Sequence, residues 1–215
     1  MIVLTGARIF DGERFLDDRA VVVEGARIAA IVPHSERPDR AVRDLGGGLL
    51  APGYVDVQVN GGGGVLFNQD PTPEGIARIA AAHRKHGTIG LLPTLVTDAP
   101  QVMAAAIAAT GEARRLTPAA LGIHLEGPFL DPRRKGAHEL SYIRDLGRDD
   151  IATIAKADCG AVMLTLAPNR VARSTNDNIA AQTAAASQTL RIRRSLPALP
   201  PRDRSSIDFN PVHPR

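Results

Sequence analysis

The sequence predicts an α/β fold built on a parallel sheet and preceded by a small antiparallel one, and three observations carry that reading. The first fifty residues hold short β-rich runs without helical patterns. Farther on, apolar strand-like runs alternate with helical patterns, and a nearly continuous apolar run, LLAPGYVDVQV, marks the change between the two regions. The 215 residues, with 44% hydrophobic and 23% charged side chains, suffice for an ordinary globular core in one large domain or two smaller ones.

The β-rich runs are residues 2–9, 20–23 and 27–32, separated by turn signals at Asp11-Gly12 and Glu24-Gly25. LLAPGYVDVQV then reads as a strand buried on both faces, as strands of parallel sheets are. A glycine-rich loop follows, and Thr72-Pro73 opens a helix through Ile76, Ile79, Ala80 and His83 that stops at Gly87. TIGLLPT is the next strand. Asp98 with Gln101 resembles a capping box for a second helix with Val102, Met103, Ala106, Ile107 and Ala109 along one side. The strand LGIHLE, a long loop, a short helix near residues 149–156 and the strand AVMLTLAP complete a β-α-β-α-β-α-β order. Such alternation fits either a doubly wound sheet or a (β/α)8 barrel.

From Asn169 the pattern fails. The remaining residues are rich in Arg, Ser and Pro, contain no Lys and show at most one helical stretch, residues 178–192. A disordered basic tail is the plain expectation.

Composition narrows the function classes. A net charge of +3, no Trp, two Tyr and five Phe leave little material for base stacking, and the seven Arg among residues 172–215, set against three Asp, give only a modest positive field. Nucleic acid is therefore not an expected partner. Lone Cys159 excludes an intrachain disulfide and a Cys-based metal site, and reads as a small buried hydrophobe in a reducing compartment. MIVLTGARIFDGERF has neither a basic start nor a long apolar core, and no run is long enough to cross a bilayer. The expected location is the cytoplasm.

The residue that most needs a reason is Glu126, in HLEGPF, where an apolar run meets a Gly-Pro turn. His124 and Glu126 are two apart on a strand and leave the same face. If the fold is a barrel, Glu126 sits at the C-terminal strand end, where active sites are built. There it can bind a cation or merely cap the following loop; one carboxylate is not a metal site. Gln58 and Asn60, with the same spacing at the end of the first parallel strand, can hydrogen-bond a water or a substrate but are poor transition-metal ligands. Glycines 61 to 64 match neither phosphate-loop nor dinucleotide patterns and read as a loop needing open backbone angles, with phosphate contact left open. His83 and His86 have HxxH spacing, yet a helix's last turn favours His through the dipole and the terminal carbonyls, and that account is preferred to a metal pair. His138, in the loop after the third strand, is either a substrate contact or a solvent-exposed loop residue.

In this order, LAPGYVDVQVNGGGGVLF, GTIGLLPTLVTD, GIHLEGPFLDPRRKGAH and VMLTLAP closely resemble the N-acetylglucosamine-6-phosphate deacetylases of the amidohydrolase superfamily, over roughly residues 1–168. The resemblance implies a partial (β/α)8 TIM-type barrel of about four strands at residues 51–168, preceded by a small β-sandwich segment at 1–50 and followed by an aberrant or disordered tail at 169–215. It implies hydrolysis of the N-acetyl group of N-acetylglucosamine 6-phosphate to glucosamine 6-phosphate and acetate by a cytoplasmic enzyme, a homodimer in the intact family. It also implies a divalent metal ion, with zinc the expected one. By matching position, Glu126 is the metal glutamate and Ala137 and His138 contact the substrate sugar. Gln58 and Asn60 stand where many relatives in the superfamily have His-x-His, which disfavours a dihydroorotase-like enzyme.

The chain departs from this family where two metal histidines and a catalytic aspartate are expected after VMLTLAP. The only later histidine is His213, in PVHPR, and Asp177, Asp203 and Asp208 lie in polar or Pro-flanked stretches. Glu126 alone would bind a metal weakly. Half a barrel would leave its first and fourth strands unpaired and favour association through those edges. The expectations are therefore a deacetylase by family, with the activity of this chain in doubt, or a non-catalytic half-barrel remnant or interaction subunit. The abrupt change after LTLAP resembles an out-of-frame translation of a GC-rich coding region.

Overall fold

The structure is a computed structural model that describes residues 1–168. The expectations for the tail, including the 178–192 helix, its disorder, its out-of-frame origin, His213 and the three late aspartates, lie outside the described residues.

The chain opens with β1 (Ile2–Thr5), β2 (Arg8–Phe10), β3 (Phe15–Leu16), β4 (Arg19–Glu24), β5 (Arg27–Pro33), β6 (Ala41–Asp44) and β7 (Leu49–Leu50). They form a four-stranded sheet of order β5-β4-β1-β6 and a three-stranded sheet of order β3-β2-β7. The single run expected over residues 2–9 is split at Gly6, whose φ of +75° suits glycine and sends β1 and β2 into different sheets. The turn at Asp11-Gly12 is closed by the Asp11 carboxylate, which accepts from the backbone N–H groups of Glu13 and Arg14, both at 2.9 Å. The first sheet is mixed, since β6 pairs parallel with β1.

A second region follows with β8 (Tyr54–Val59), the two-residue strands β9 (Gly61–Gly62) and β10 (Val65–Leu66), α1 (Pro73–Arg84), β11 (Thr88–Val96), α2 (Pro100–Leu116), β12 (Gly122–Glu126), α3 (Arg148–Ala155) and β13 (Ala161–Thr165). β8, β11, β12 and β13 form one parallel sheet of order β13-β12-β11-β8. The fold is thus mixed α/β with a parallel sheet, as the alternation predicted. α1 begins where Thr72-Pro73 placed it: the Thr72 hydroxyl accepts from Gly75 N–H at 3.0 Å, and Ile76, Ile79 and Ala80 are buried. α2 turns Met103, Ala106, Ala109 and Ala113 into the same core, which also holds Leu91, Leu95, Ile123, Leu125 and Cys159. Burial pushes the Cys159 thiol up to about 11, consistent with an inert packing residue.

Two expectations are corrected. LLAPGYVDVQV is not one strand buried on both faces: Leu49–Leu50 is β7 in the first region, and β8 exposes Tyr54, Val55 and Val57 by 69%, 58% and 48%. The reason is position: β8 pairs with β11 on one side and with no strand on the other among the described residues. Asp98 does not cap α2, whose N-cap is Ala99 without a side-chain bond. The Asp98 carboxylate instead accepts from the Asn68 amide at 2.8 Å and from Ala99 N–H. Glycines 61 to 64 do need open backbone angles, with positive φ at Gly63 and Gly64, and the segment closes a small hairpin in which β9 is antiparallel to β10.

Candidate functional site

The C-terminal ends of the parallel strands lie side by side, and register brings their polar side chains together. Thr94 pairs with His124 and Val96 with Glu126 across β11 and β12, while His124 faces Met163 and Glu126 faces Thr165 across β12 and β13. A parallel sheet aligns its strand ends in this way whatever the sequence separation.

Glu126, half-buried, lies at the centre of this row. Gln58 Nε2 donates to Glu126 Oε1 at 3.0 Å, and Asn60 Nδ2 approaches Oε2 at 3.5 Å. The amide pair expected to meet water or a substrate thus turns to the carboxylate. Each carboxylate oxygen has its own amide neighbour, which orients the group without neutralising its charge.

Below Glu126 runs a second polar row. His124 is buried, with Nδ1 at 3.2 Å from Thr94 Oγ1 and Nε2 at 2.8 Å from Thr165 Oγ1. Thr94 Oγ1 also accepts from Val59 N–H at 2.9 Å. The row therefore stitches β8, β11, β12 and β13 together. Burial holds the His124 imidazole below its ordinary basicity, against the opposing pull of the Glu126 charge, so the ring is neutral at pH 7.

The loop after β12 returns to the same place. His138, half-buried, has Nδ1 at 2.8 Å from Thr97 Oγ1, and the Thr97 hydroxyl donates to the Glu126 carbonyl at 3.3 Å. Ala137, beside it, is exposed. The structure thus brings Gln58, Asn60 and Glu126 into direct contact and links His138 to them through Thr97.

The HxxH pair is not part of this group. His83 Nε2 lies 3.0 Å from the carbonyl of Gly61, a hairpin carbonyl rather than a helix-terminal one. Among the described residues no three His, Cys, Asp or Glu side chains gather where they could hold a metal ion. Among the described residues Glu126 is the carboxylate at the centre of the strand-end row.

Thr94, Thr97, Thr165 and Asn68 were not singled out from the sequence. Asn68 donates to Val96 O at 2.9 Å and accepts from Val96 N–H at 3.1 Å, satisfying the end of β11 as a paired strand would. The available signal was the pair of hydroxyls, Thr94 and Thr97, in the otherwise apolar run GLLPTLVT.

Comparison with known proteins agrees with the resemblance. Residues 1–50 match the NagA composite domain. The chain is 34% identical over 175 residues to an N-acetylgalactosamine-6-phosphate deacetylase of Shewanella sp. (strain ANA-3), covering 80% of this chain and 44% of the relative. It is 37% identical over 165 residues to the Homo sapiens N-acetylglucosamine-6-phosphate deacetylase, covering 73% and 38% respectively. The crystal structure of N-acetylglucosamine-6-phosphate deacetylase from Pasteurella multocida superposes with a TM-score of 0.79 at 30% identity, over 84% of this chain and 48% of that one. The enzyme from Mycobacterium smegmatis gives 0.71 at 33%, over 86% and 48%. The chain resembles these deacetylases and spans less than half the length of the curated relatives cited here.

Proposed function

We propose that this chain belongs to the N-acetylglucosamine-6-phosphate deacetylase family of the amidohydrolase superfamily, and that its strand ends carry the first part of that family's site. The reaction is hydrolysis of the N-acetyl group of an amino-sugar 6-phosphate to the free amine and acetate. The observation that supports this most directly is Glu126 at the end of a parallel strand, with Gln58 and Asn60 at its two carboxylate oxygens. In this reading residues 51–168 are part of a (β/α)8 barrel, residues 1–50 are a β-sandwich segment, and the protein works in the cytoplasm on a small-molecule sugar phosphate. The whole enzyme is a homodimer, and neither membrane nor nucleic acid is a partner. Among the described residues no helix is long and apolar enough to cross a membrane.

Each residue has a distinct part. Glu126 supplies the negative charge, the amides of Gln58 and Asn60 fix its direction, and His138 with Ala137 meets the sugar. His124 remains neutral and ties the strand ends together, so the carboxylate is carried on a rigid support. A divalent ion, zinc in this reading, supplies an acidified water and a polarised carbonyl when bound. The described residues offer one of the three protein ligands that such an ion normally takes, and they do not hold it by themselves.

The test is acetate release from N-acetylglucosamine 6-phosphate and its galactosamine epimer, by the purified 215-residue chain with zinc and by its Glu126→Gln variant. Zinc-dependent release that disappears in the variant supports deacetylation by this chain. No acetate above a buffer control rejects its catalytic competence. The second reading, a non-catalytic half-barrel or interaction subunit, is favoured by the apolar side chains that β8 leaves in water. A compact, well-behaved monomer in sedimentation would argue against it.

A further inference from the structure

Resting on the reading of Ala137 and His138 as sugar contacts, we propose that Arg144 is a positioning residue. It locks the neck of the loop 130–143, so that the tip carrying those two residues is presented to the strand ends as one preformed unit.

The loop begins and ends at the same atom. Leu130 N–H donates to the Pro128 carbonyl at 2.9 Å, and Arg144 N–H donates to the same carbonyl at 3.2 Å. The two lone pairs of one oxygen thus tie both ends, and the segment between them is a compact loop of the Ω type. Its footing is fixed as well: Phe129 is fully buried beside Leu146 and Ile151, and its carbonyl accepts from Ala167 N–H at 2.8 Å.

The Arg144 side chain secures the neck from a second direction. Nη1 and Nη2 each donate to one carboxylate oxygen of Asp150, Nη2 at 2.7 Å, and the guanidinium lies over the Phe129 ring at 5.0 Å. Asp150 stands in the first turn of α3 and also accepts from Gly147 N–H at 3.0 Å. A fork in the plane and a ring against the face leave the guanidinium one orientation, a combination that a lysine ammonium does not reproduce.

The tip is held far less firmly. Lys135 Nζ donates to the carbonyls of Gly136 and His138, and Glu139 accepts from Ser141, all inside the loop. Among the described residues, the 2.8 Å contact between His138 Nδ1 and Thr97 Oγ1 is the hydrogen bond that joins residues 132–143 to the strand ends. One hydrogen bond favours a docked tip by only about tenfold, so the place of the tip depends on the neck.

The test is NMR of the isotope-labelled 215-residue chain and its Arg144→Lys, Asp150→Asn and Thr97→Val variants, beside titration with N-acetylglucosamine 6-phosphate. Wild type should show cross-relaxation between the Thr97 methyl group and the His138 ring. In Arg144→Lys and Asp150→Asn that signal should disappear, and exchange at the amides of residues 130, 134, 138 and 144 should quicken about tenfold while the β12 amides keep their rates. Thr97→Val should leave the amides of residues 130 and 144 protected, since the neck stands without the tip. Survival of the Thr97–His138 signal in both neck variants overturns the proposal, as does a neck that opens in Thr97→Val or a β12 that loosens together with the loop. Sugar-phosphate binding should weaken about tenfold in Arg144→Lys. If the signal follows residue 144 while the wild type binds no sugar phosphate, the positioning role stands and the substrate reading fails.

Discussion

β12 and β8 are strands of the same parallel sheet, one ending in His124 and Glu126 and the other in Gln58 with Asn60 just beyond it, yet their surroundings are opposite. β12 lies between β11 and β13, and its residues 122–125 are all buried. Among the described residues β8 has only β11 beside it, and Val59 is its one buried residue. The comparison teaches that burial belongs to the neighbours and not to the residue types: Val57 and Leu125 are both apolar strand residues, and only one is out of water. It also separates two kinds of polar residue. His124 acts inside the sheet as a neutral stitch, while Gln58 and Asn60 act at its open end on the charge of Glu126.

The comparison breaks most visibly if the inner strand is emptied. Leu125→Ala should cost about 3–4 kcal/mol in equilibrium denaturation, the transfer and cavity cost of a fully buried leucine; a cost below about 1 kcal/mol would mean that β12 is not enclosed as described. Next comes pH. The Cys159 thiol is raised from 9.0 to about 11 in the folded chain, so its contribution is fully present below pH 9 and lost as pH rises through 11. About two units correspond to roughly 2–3 kcal/mol, to be read as a fall in denaturation midpoint over that window that Cys159→Ala lacks.

A smaller effect sharpens the stitching role. His124→Leu should cost about 1 kcal/mol, because Thr165 loses its imidazole partner while Thr94 keeps Val59 N–H and the Leu92 carbonyl. Amide exchange should then quicken along β13 more than along β8. Smallest of all, Val57→Ser should change stability by no more than about 0.5 kcal/mol, since the side chain is already half in water. A larger loss would show that something covers β8 in solution.

Local signals were legible wherever neighbouring residues in the chain settle the matter. Thr72-Pro73 marked the start of α1, Ile76, Ile79 and Ala80 its buried face, and Asp11-Gly12 a turn. The same reasoning failed at Asp98, where the capping-box pattern is present but the carboxylate prefers Asn68, thirty residues earlier. At the site, Glu126, Gln58 and Asn60 could be marked as strand-end polar groups, but not their mutual contact. The threonines stayed hidden because a hydroxyl looks alike whether it faces water or an imidazole, and Thr97 and Thr165 each meet a histidine 41 residues away.

The sequence by itself determined the alternation of strands and helices, because 3.6-residue and two-residue periodicities and cap chemistry act over a few residues. It also determined which strand ends carry a carboxylate, two amides and a histidine. Only the tertiary structure decided that β8 stands at the sheet's margin and β12 inside it, that Glu126 is held by Gln58, and that Thr97 joins His138 to the same strand end. Those outcomes depend on which strands lie side by side, and parallel pairing joins residues dozens of positions apart whose side chains cannot be matched until the sheet exists.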